Sequence, residues 1–266
     1  MKNFLAGLVL CLLVICTVFA AKPKAQSADM QSGGNVIVEL FTSEGCSSCP
    51  PADLLLQRLE AQQPVAGAAI IGLEEHVDYW DHDGWSDPFS SARWTQRQLD
   101  YGAKFKDDAY TPQMVVDGQT QFVGNNRHEA ELEIEKAARR EKANVAITAQ
   151  TSNAKGERRI NVQVGKLAAR QDGDVPEVWL AITEDGLHSS VRRGENAGRE
   201  LAHIATLRSL QKIGVAHTGD ASLSFSADPV INLSPGWIPA NLHIVVFVQR
   251  RASREILGAA SISIKS

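Results

Sequence analysis

The stretch from Val36 to Leu59 constrains the fold more than any other part of the chain. Val36-Ile-Val-Glu-Leu-Phe41 is rich in β-branched and apolar residues and predicts a central strand. Thr42-Ser-Glu-Gly45 follows as a turn, then Cys46-Ser-Ser-Cys49, then Pro50-Pro-Ala-Asp-Leu-Leu-Leu-Gln-Arg-Leu59. Proline is tolerated only in the first turn of a helix, so regular helix starts near Cys49 or Pro50, with Leu55, Leu56 and Leu59 on its inner face. Two thiols three residues apart at a strand-to-helix turn can close a small disulfide ring or attack one elsewhere. A helix N-terminus presents free N–H groups and a partial positive charge, which favour a thiolate over a thiol. A metal clip or a static local disulfide would use the same residues, so the rest of the chain has to decide.

The chain has 266 residues and four cysteines. Lys2, the apolar run Leu5–Phe19 and the small-residue site Val18-Phe-Ala20 read as a signal peptide over residues 1–20. The run is short for a membrane span of about 20 apolar residues. Cys11 and Cys16 lie inside it. Its removal leaves Cys46 and Cys49 as the only pair, which does not describe a disulfide-stapled scaffold. The net charge of −4 carries no basic block and argues against nucleic acid or an anionic membrane surface as partner. No stable membrane insertion is expected after signal cleavage. The expected location is exported, in the periplasm or secreted.

Residues 21–34 are polar and read as a flexible linker. Ala68–Leu73 predicts a second buried strand. Ser90 or Ser91 caps a helix running to about Phe105, with Trp94, Leu99 and Tyr101 as anchors. Met114–Val116 and Thr120–Val123 are short strands, joined by a hairpin turn at Asp117-Gly118. Asn126–Lys142 is a charged helix with Leu132, Ile134, Ala137 and Ala138 on a narrow apolar face. These elements form an α/β domain over residues 35–143. Beyond it, Val145–Thr151, Ile160–Val164, Val178–Thr183, Leu223–Phe225, Leu242–Gln249 and Ile256–Ile264 predict an antiparallel β-sandwich domain over 144–266. Leu201–Ile213 stays open: Leu201, Ile204, Leu207 and Leu210 have helical spacing in a β neighbourhood.

In order and chemistry the first domain resembles the thioredoxin superfamily: strand, Cys46-Ser-Ser-Cys49, helix, strand, helix, Thr111-Pro112 opening a hairpin, closing helix. The strings Val38–Asp53, His76-Val-Asp-Tyr-Trp80 and Tyr110–Val116, with Trp85, resemble a family of exported bacterial proteins known as DUF1223. The resemblance implies an α/β thioredoxin-like domain and assures no substrate. It also implies that Pro112, after Thr111, is a cis-proline beside the dithiol. Gly45 stands where the superfamily has an aromatic, which leaves that side of the site less shielded. Glu39 is the counterpart of the superfamily's buried acid. The stretch His76–Pro88 is an insertion that would cover the dithiol and restrict what reaches it.

In this reading Cys46 is the nucleophile, at the exposed turn, and Cys49 the more buried resolving thiol. Glu39 either relays a proton to Cys49 or is a strand-end carboxylate that faces water or pairs with a base. Glu44 reads as a solvated turn acid. His76, Asp78, His82 and Asp83 match no specific metal motif and read as a hydrogen-bonded loop packed by Tyr79, Trp80 and Trp85. Arg192–Arg199 reads as a charged, solvated turn. The expected function is an exported thiol–disulfide oxidoreductase acting on an exported protein or small thiol, with no cofactor or metal and an undefined redox partner. The alternatives are a copper- or zinc-binding carrier using Cys46 and Cys49 with His76 or His82, and a binding module whose dithiol is vestigial.

Overall fold

The computed structural model describes residues 34–151, 156–169, 173–219 and 221–264. The expected signal peptide lies outside them, as does the linker 21–34 except Gly34. The first elements are β1 (Asn35–Thr42), α1 (Pro50–Gln62), β2 (Ala69–His76), α2 (Ala92–Phe105), β3 (Gln113–Val116), β4 (Thr120–Val123) and α3 (Arg127–Ala138). β1 and β2 are parallel, with Thr42 opposite His76 at their C-terminal ends. β3 is antiparallel to both β1 and β4. Strand alternation sets the two faces. Val36, Val38 and Leu40 pack with Leu55, Leu56 and Leu59 of α1 and Ile134 of α3. Ile37 and Phe41 point the other way, toward Trp94 and Tyr101 of α2.

Local chemistry closes these elements where it should. Ser91 Oγ accepts from Arg93 N at 3.2 Å and Asn126 Oδ1 from Glu129 N at 3.2 Å, satisfying free amides at two helix starts. Asp117 (φ 49°) and Gly118 (φ 64°) supply the two positive φ angles that a tight hairpin needs. Two details differ from expectation. Leu99 is exposed, and α2 instead buries Trp94, Arg97, Gln98 and Tyr101. α3 stops at Ala138, and Lys142 turns away to an ion pair with Asp117 and a 3.4 Å contact with Ile256 O.

The second half supplies β5 (Val145–Thr151), β6 (Glu157–Gly165), β7 (Pro176–Glu184), β8 (Leu187–Ser190), β9 (Glu200–His203), β10 (Thr206–Val215), β11 (Leu223–Ala227), β12 (Val230–Asn232), β13 (Leu242–Arg250) and β14 (Ile256–Ser263). One eight-stranded sheet runs across residue 143, in the order β14-β13-β7-β10-β2-β1-β3-β4. The junction is β10 against β2, parallel at Thr206 and Glu74, where Glu74 N donates to Ala205 O at 2.9 Å. A smaller sheet, β11-β6-β12 with β5 on β6, lies over β7 and β13. Ile147, Ile160, Val162 and Val164 pack there with Val178, Leu180, Ile244 and Val246. β8 and β9 form a two-stranded ribbon.

The long sheet curls, which brings β14 back beside β1 and β3. Asn35 Nδ2 donates to Ala259 O at 2.6 Å and Ile256 N to Asp117 O at 3.1 Å. Ile37, Leu73, Leu207, Leu210, Val245 and Phe247 meet inside the curl, with Trp94 of α2 against them. The open question over Leu201–Ile213 resolves as strand. A β-bulge between Leu207 and Ser209 places Leu207 and Leu210 on one face despite their spacing of three. The molecule is thus a mixed α/β fold on large multi-stranded sheets.

Candidate functional site

Cys46 and Cys49 form a disulfide with Cα atoms 5.5 Å apart. Cys49 is the N-cap of α1, and its carbonyl accepts from Ala52 N at 2.8 Å and Asp53 N at 3.2 Å. Both cysteines are sealed, at 1% and 0% exposure, while Ser47 and Ser48 form the outer surface of the turn. This corrects the expectation of an exposed Cys46. Two segments lie against the turn that carries them. The first is Trp80. A Cβ added at Gly45 would lie 3.0 Å from Trp80 Cβ, so the side expected to be less shielded is filled by that residue. Trp80 Nε1 also donates to Thr111 Oγ1 at 2.8 Å, and the Thr111–Pro112 peptide is cis. Pro112 is buried, and Gly124 lies between it and the first turn of α1: a Cβ at Gly124 would meet Pro112 Cβ and Ala52 Cβ, each at 3.2 Å.

The second cover is the loop between β8 and β9. Asn196 is buried, and its Nδ2 donates to Glu44 O at 2.8 Å and Cys46 O at 2.9 Å. Ser47 N donates to Glu195 Oε2 at 3.2 Å. The charged turn expected to be solvated therefore straps the disulfide, although its arginines stay exposed. Its shape is set by the ribbon, with Val191 N on Arg199 O at 3.0 Å and Gly198 N on Val191 O at 2.8 Å.

Glu39 is not brought to the disulfide. It lies between Val38 and Leu40 on β1, so alternation turns it to the α2 face. There Arg97 Nε donates to Glu39 Oε2 at 2.5 Å, Tyr101 OH bonds to Oε1, and Arg97 Nε stands 3.3 Å from Glu75 Oε1. Glu39 anchors α2 inside the curl. The acid in the first turn of α1 is Asp53, whose Oδ1 accepts from Thr42 Oγ1 at 2.6 Å. Burial, followed by the charge of Glu74, pushes the Asp53 carboxyl up to about 7.

On the α1 side, at the C-terminal ends of β1 and β2, lies a buried polar cluster. Its members are Glu44, Glu74, His76, Asp87, His203 and Thr206. His203 Nδ1 is 3.2 Å from Glu74 Oε1, and its Nε2 is 3.1 Å from Glu44 Oε1. His76 Nδ1 is 2.7 Å from Asp87 Oδ2, and its Nε2 is 3.3 Å from Glu74 Oε2. Thr206 Oγ1 donates to Glu74 Oε2 at 2.8 Å, and Trp85 Nε1 to Glu44 Oε2 at 2.7 Å. Asp87 Oδ2 also accepts from Glu44 N at 2.8 Å, which fastens the cluster to the turn that carries Cys46. Burial alone would lower both imidazoles. Against it stand the charge of Glu74 with hydrogen bonds to Glu44 and Glu74 at His203, and the charges of Asp87 and Glu74 with hydrogen bonds to both at His76; together they push both imidazoles up. Burial opposes ionisation of Glu74 and Asp87 too, but the facing imidazoles hold both carboxyls down.

Glu44 is thus not a solvated turn acid. Nor do Asp78, His82 and Asp83 join His76: Asp78 Oδ1 accepts from Thr95 Oγ1 at 2.6 Å, while His82 and Asp83 are exposed. Glu74, Asp87, His203 and Asn196 escaped the sequence reading. Glu74 and His76 carried one usable signal, since residues two apart on a strand share a face. His203 and Asn196 carried none, because they arrive from more than 120 residues away.

No curated protein matches the chain. Protein AGR_C_4864 from Agrobacterium tumefaciens is a similar solved structure, with 22% identity and a TM-score of 0.64 over 89% of this chain and 97% of that one. HBP35 of Porphyromonas gingivalis is similar at 16% identity and a TM-score of 0.69, over 88% of this chain and 76% of that one. These are likenesses of fold. No helix among the described residues is long and apolar enough to cross a membrane. The model of a family described as "Protein of unknown function (DUF1223)" matches residues 37–249, a span that holds the disulfide, Pro112 and the buried cluster, and the chain belongs to that family.

Proposed function

We propose that the protein is an exported thiol–disulfide oxidoreductase that passes two electrons between the Cys46–Cys49 pair and an exported protein or small thiol. The observation that carries this reading is the seat of the disulfide on the N-terminus of α1, with cis-Pro112 across Gly124 from that helix start and Thr111 tied to Trp80. The order strand, disulfide, helix, strand, helix, cis-proline hairpin, helix is that of thioredoxin-like domains, and the strand order β2-β1-β3-β4 supports the same reading. The short apolar stretch after Lys2 supports export.

In the oxidised state, a substrate thiolate attacks Cys46 Sγ and Cys49 leaves as a thiolate. A second substrate thiolate then attacks the substrate sulfur of the mixed disulfide and expels Cys46, so the substrate is oxidised and the protein pair reduced. The amides at the N-terminus of α1 favour the thiolate on Cys49, by roughly 0.3–1 kcal/mol for a charge at a helix end. Attack requires the strap at Asn196 to lift, which favours a partner able to displace it over any passing thiol.

The test is redox titration of the native chain in glutathione or dithiothreitol buffers, read by alkylation. Cys46 and Cys49 are expected to cycle between disulfide and dithiol, and Cys49→Ser to trap partners through Cys46. A disulfide that is reduced only after denaturation is structural, and the enzyme reading then fails.

A further inference from the structure

We infer that Glu74, His76 and His203 form a binding site for one divalent first-row transition cation of the zinc type, built without the cysteines. The geometry begins at His76. Asp87 Oδ2 sits 2.7 Å from Nδ1 and accepts its N–H, which turns Nε2 toward Glu74 as the atom a cation would take. That Nε2 is buried, has no hydrogen-bond partner among the described residues, and stands 3.3 Å from Glu74 Oε2. A purely structural histidine so deeply buried would have both nitrogens satisfied. His203 repeats the arrangement: Glu44 at 3.1 Å occupies Nε2 and turns Nδ1 toward Glu74 at 3.2 Å.

A cation with bonds of about 2.0–2.1 Å sets neighbouring donor atoms roughly 3.0–3.4 Å apart. The two imidazole–carboxylate separations fall in that range, and one donor atom from each of the three residues fits within 4.8 Å of the others. Two imidazoles and a carboxylate suit zinc and its neighbours in the first row. The outer partners are of the kind that orient metal ligands: Asp87 behind His76, Glu44 behind His203, and the Thr206 hydroxyl on Glu74. Glu44 and Asp87 add negative charge that a dication would offset. The hydrogen-bonded network alone accounts for every one of these contacts except that of His76 Nε2, which faces Glu74 Oε2 at 3.3 Å without a hydrogen bond.

The full chain is purified from cells grown with added zinc or cobalt, passed through gel filtration and assayed for bound metal, cobalt spectrum and thermal midpoint. One cation per chain is expected, with a higher midpoint for the loaded protein. His76→Gln is expected to lose the metal. Asp87→Asn, which keeps all three ligands, is expected to weaken binding roughly 10- to 100-fold. Should His76→Gln fail to fold, Asp87→Asn carries the test. The Cys46→Ser/Cys49→Ser variant is expected to bind as the parent does, so loss of thiol exchange leaves this result unaffected. A parent chain free of metal, binding unchanged in the Asp87 and His76 variants, or metal lost with the cysteines would overturn the assignment.

Discussion

Glu60 of α1 faces the Gly72 amide at 3.5 Å through Oε1, and its Oε2 is buried without a hydrogen-bond partner among the described residues. Burial, with the charge of Asp185 adding to it, pushes this carboxyl up to about 7 from its ordinary 4.5. Between those two values the folded chain keeps a proton that the unfolded chain releases. The contribution to stability is complete below pH 4.5, declines as pH rises and is gone above about 7. A shift of this size corresponds to roughly 3 kcal/mol at most. Glu60→Gln, neutral and nearly isosteric, is expected to melt above the parent at alkaline pH and to converge with it under acid conditions. Thermal melts across pH check this, and coincident curves at alkaline pH would refute it. The sequence gives no hint of such a site, since an acid between Leu59 and Ala61 reads as the wet side of a helix. Glu44 misled in the same manner. For Glu39, pairing with a base was one of the readings, but nothing local in the sequence named Arg97, 58 residues on, as that base.

At the scale of elements, the loop of the β8–β9 ribbon is fastened to the turn that carries the disulfide. Asn196 makes two buried hydrogen bonds to backbone carbonyls, each worth about 1 kcal/mol net. Asn196→Ala removes both, and reduction of the native disulfide by a small thiol is expected to accelerate roughly 10- to 100-fold, at 1.4 kcal/mol per tenfold. Timed alkylation after addition of dithiothreitol measures the rate, and an unchanged rate would show that this loop is not the gate. Elements with local punctuation were legible: the proline-led start of α1, the Ser91 cap of α2, the Asp117-Gly118 hairpin. β10 was not, because its bulge at Leu207/Ser209 gives Leu207 and Leu210 a helix-like spacing on one face, and Leu201 and Ile204 extend that spacing from β9 and the bend before β10.

For the whole molecule, the long sheet makes the two halves interdependent. Ile37, Ile71 and Leu73 pack with Leu207, Leu210, Val245 and Phe247 from beyond residue 143, and β10 covers the edge of β2. A fragment spanning 34–143 would present that apolar face and an open strand edge to water. It is expected to bind hydrophobic dyes and to lack a cooperative melt, whereas the full chain melts cooperatively. A fragment with a sharp transition and no dye binding would contradict this. The β2–β10 pairing could not be read from sequence, for it joins residues 132 apart at Thr206 and Glu74 and leaves no local mark. The buried cluster depends on that pairing and shared its invisibility.

The strap also has a place in time. Chains are made from the N-terminus, so Cys46 leaves the ribosome 150 residues ahead of Asn196. For that interval the two thiols have no cover from the loop. Docking of the loop ends the interval. On the proposed reading, a disulfide closed in that interval is afterwards reached by a thiol only when the strap lets go.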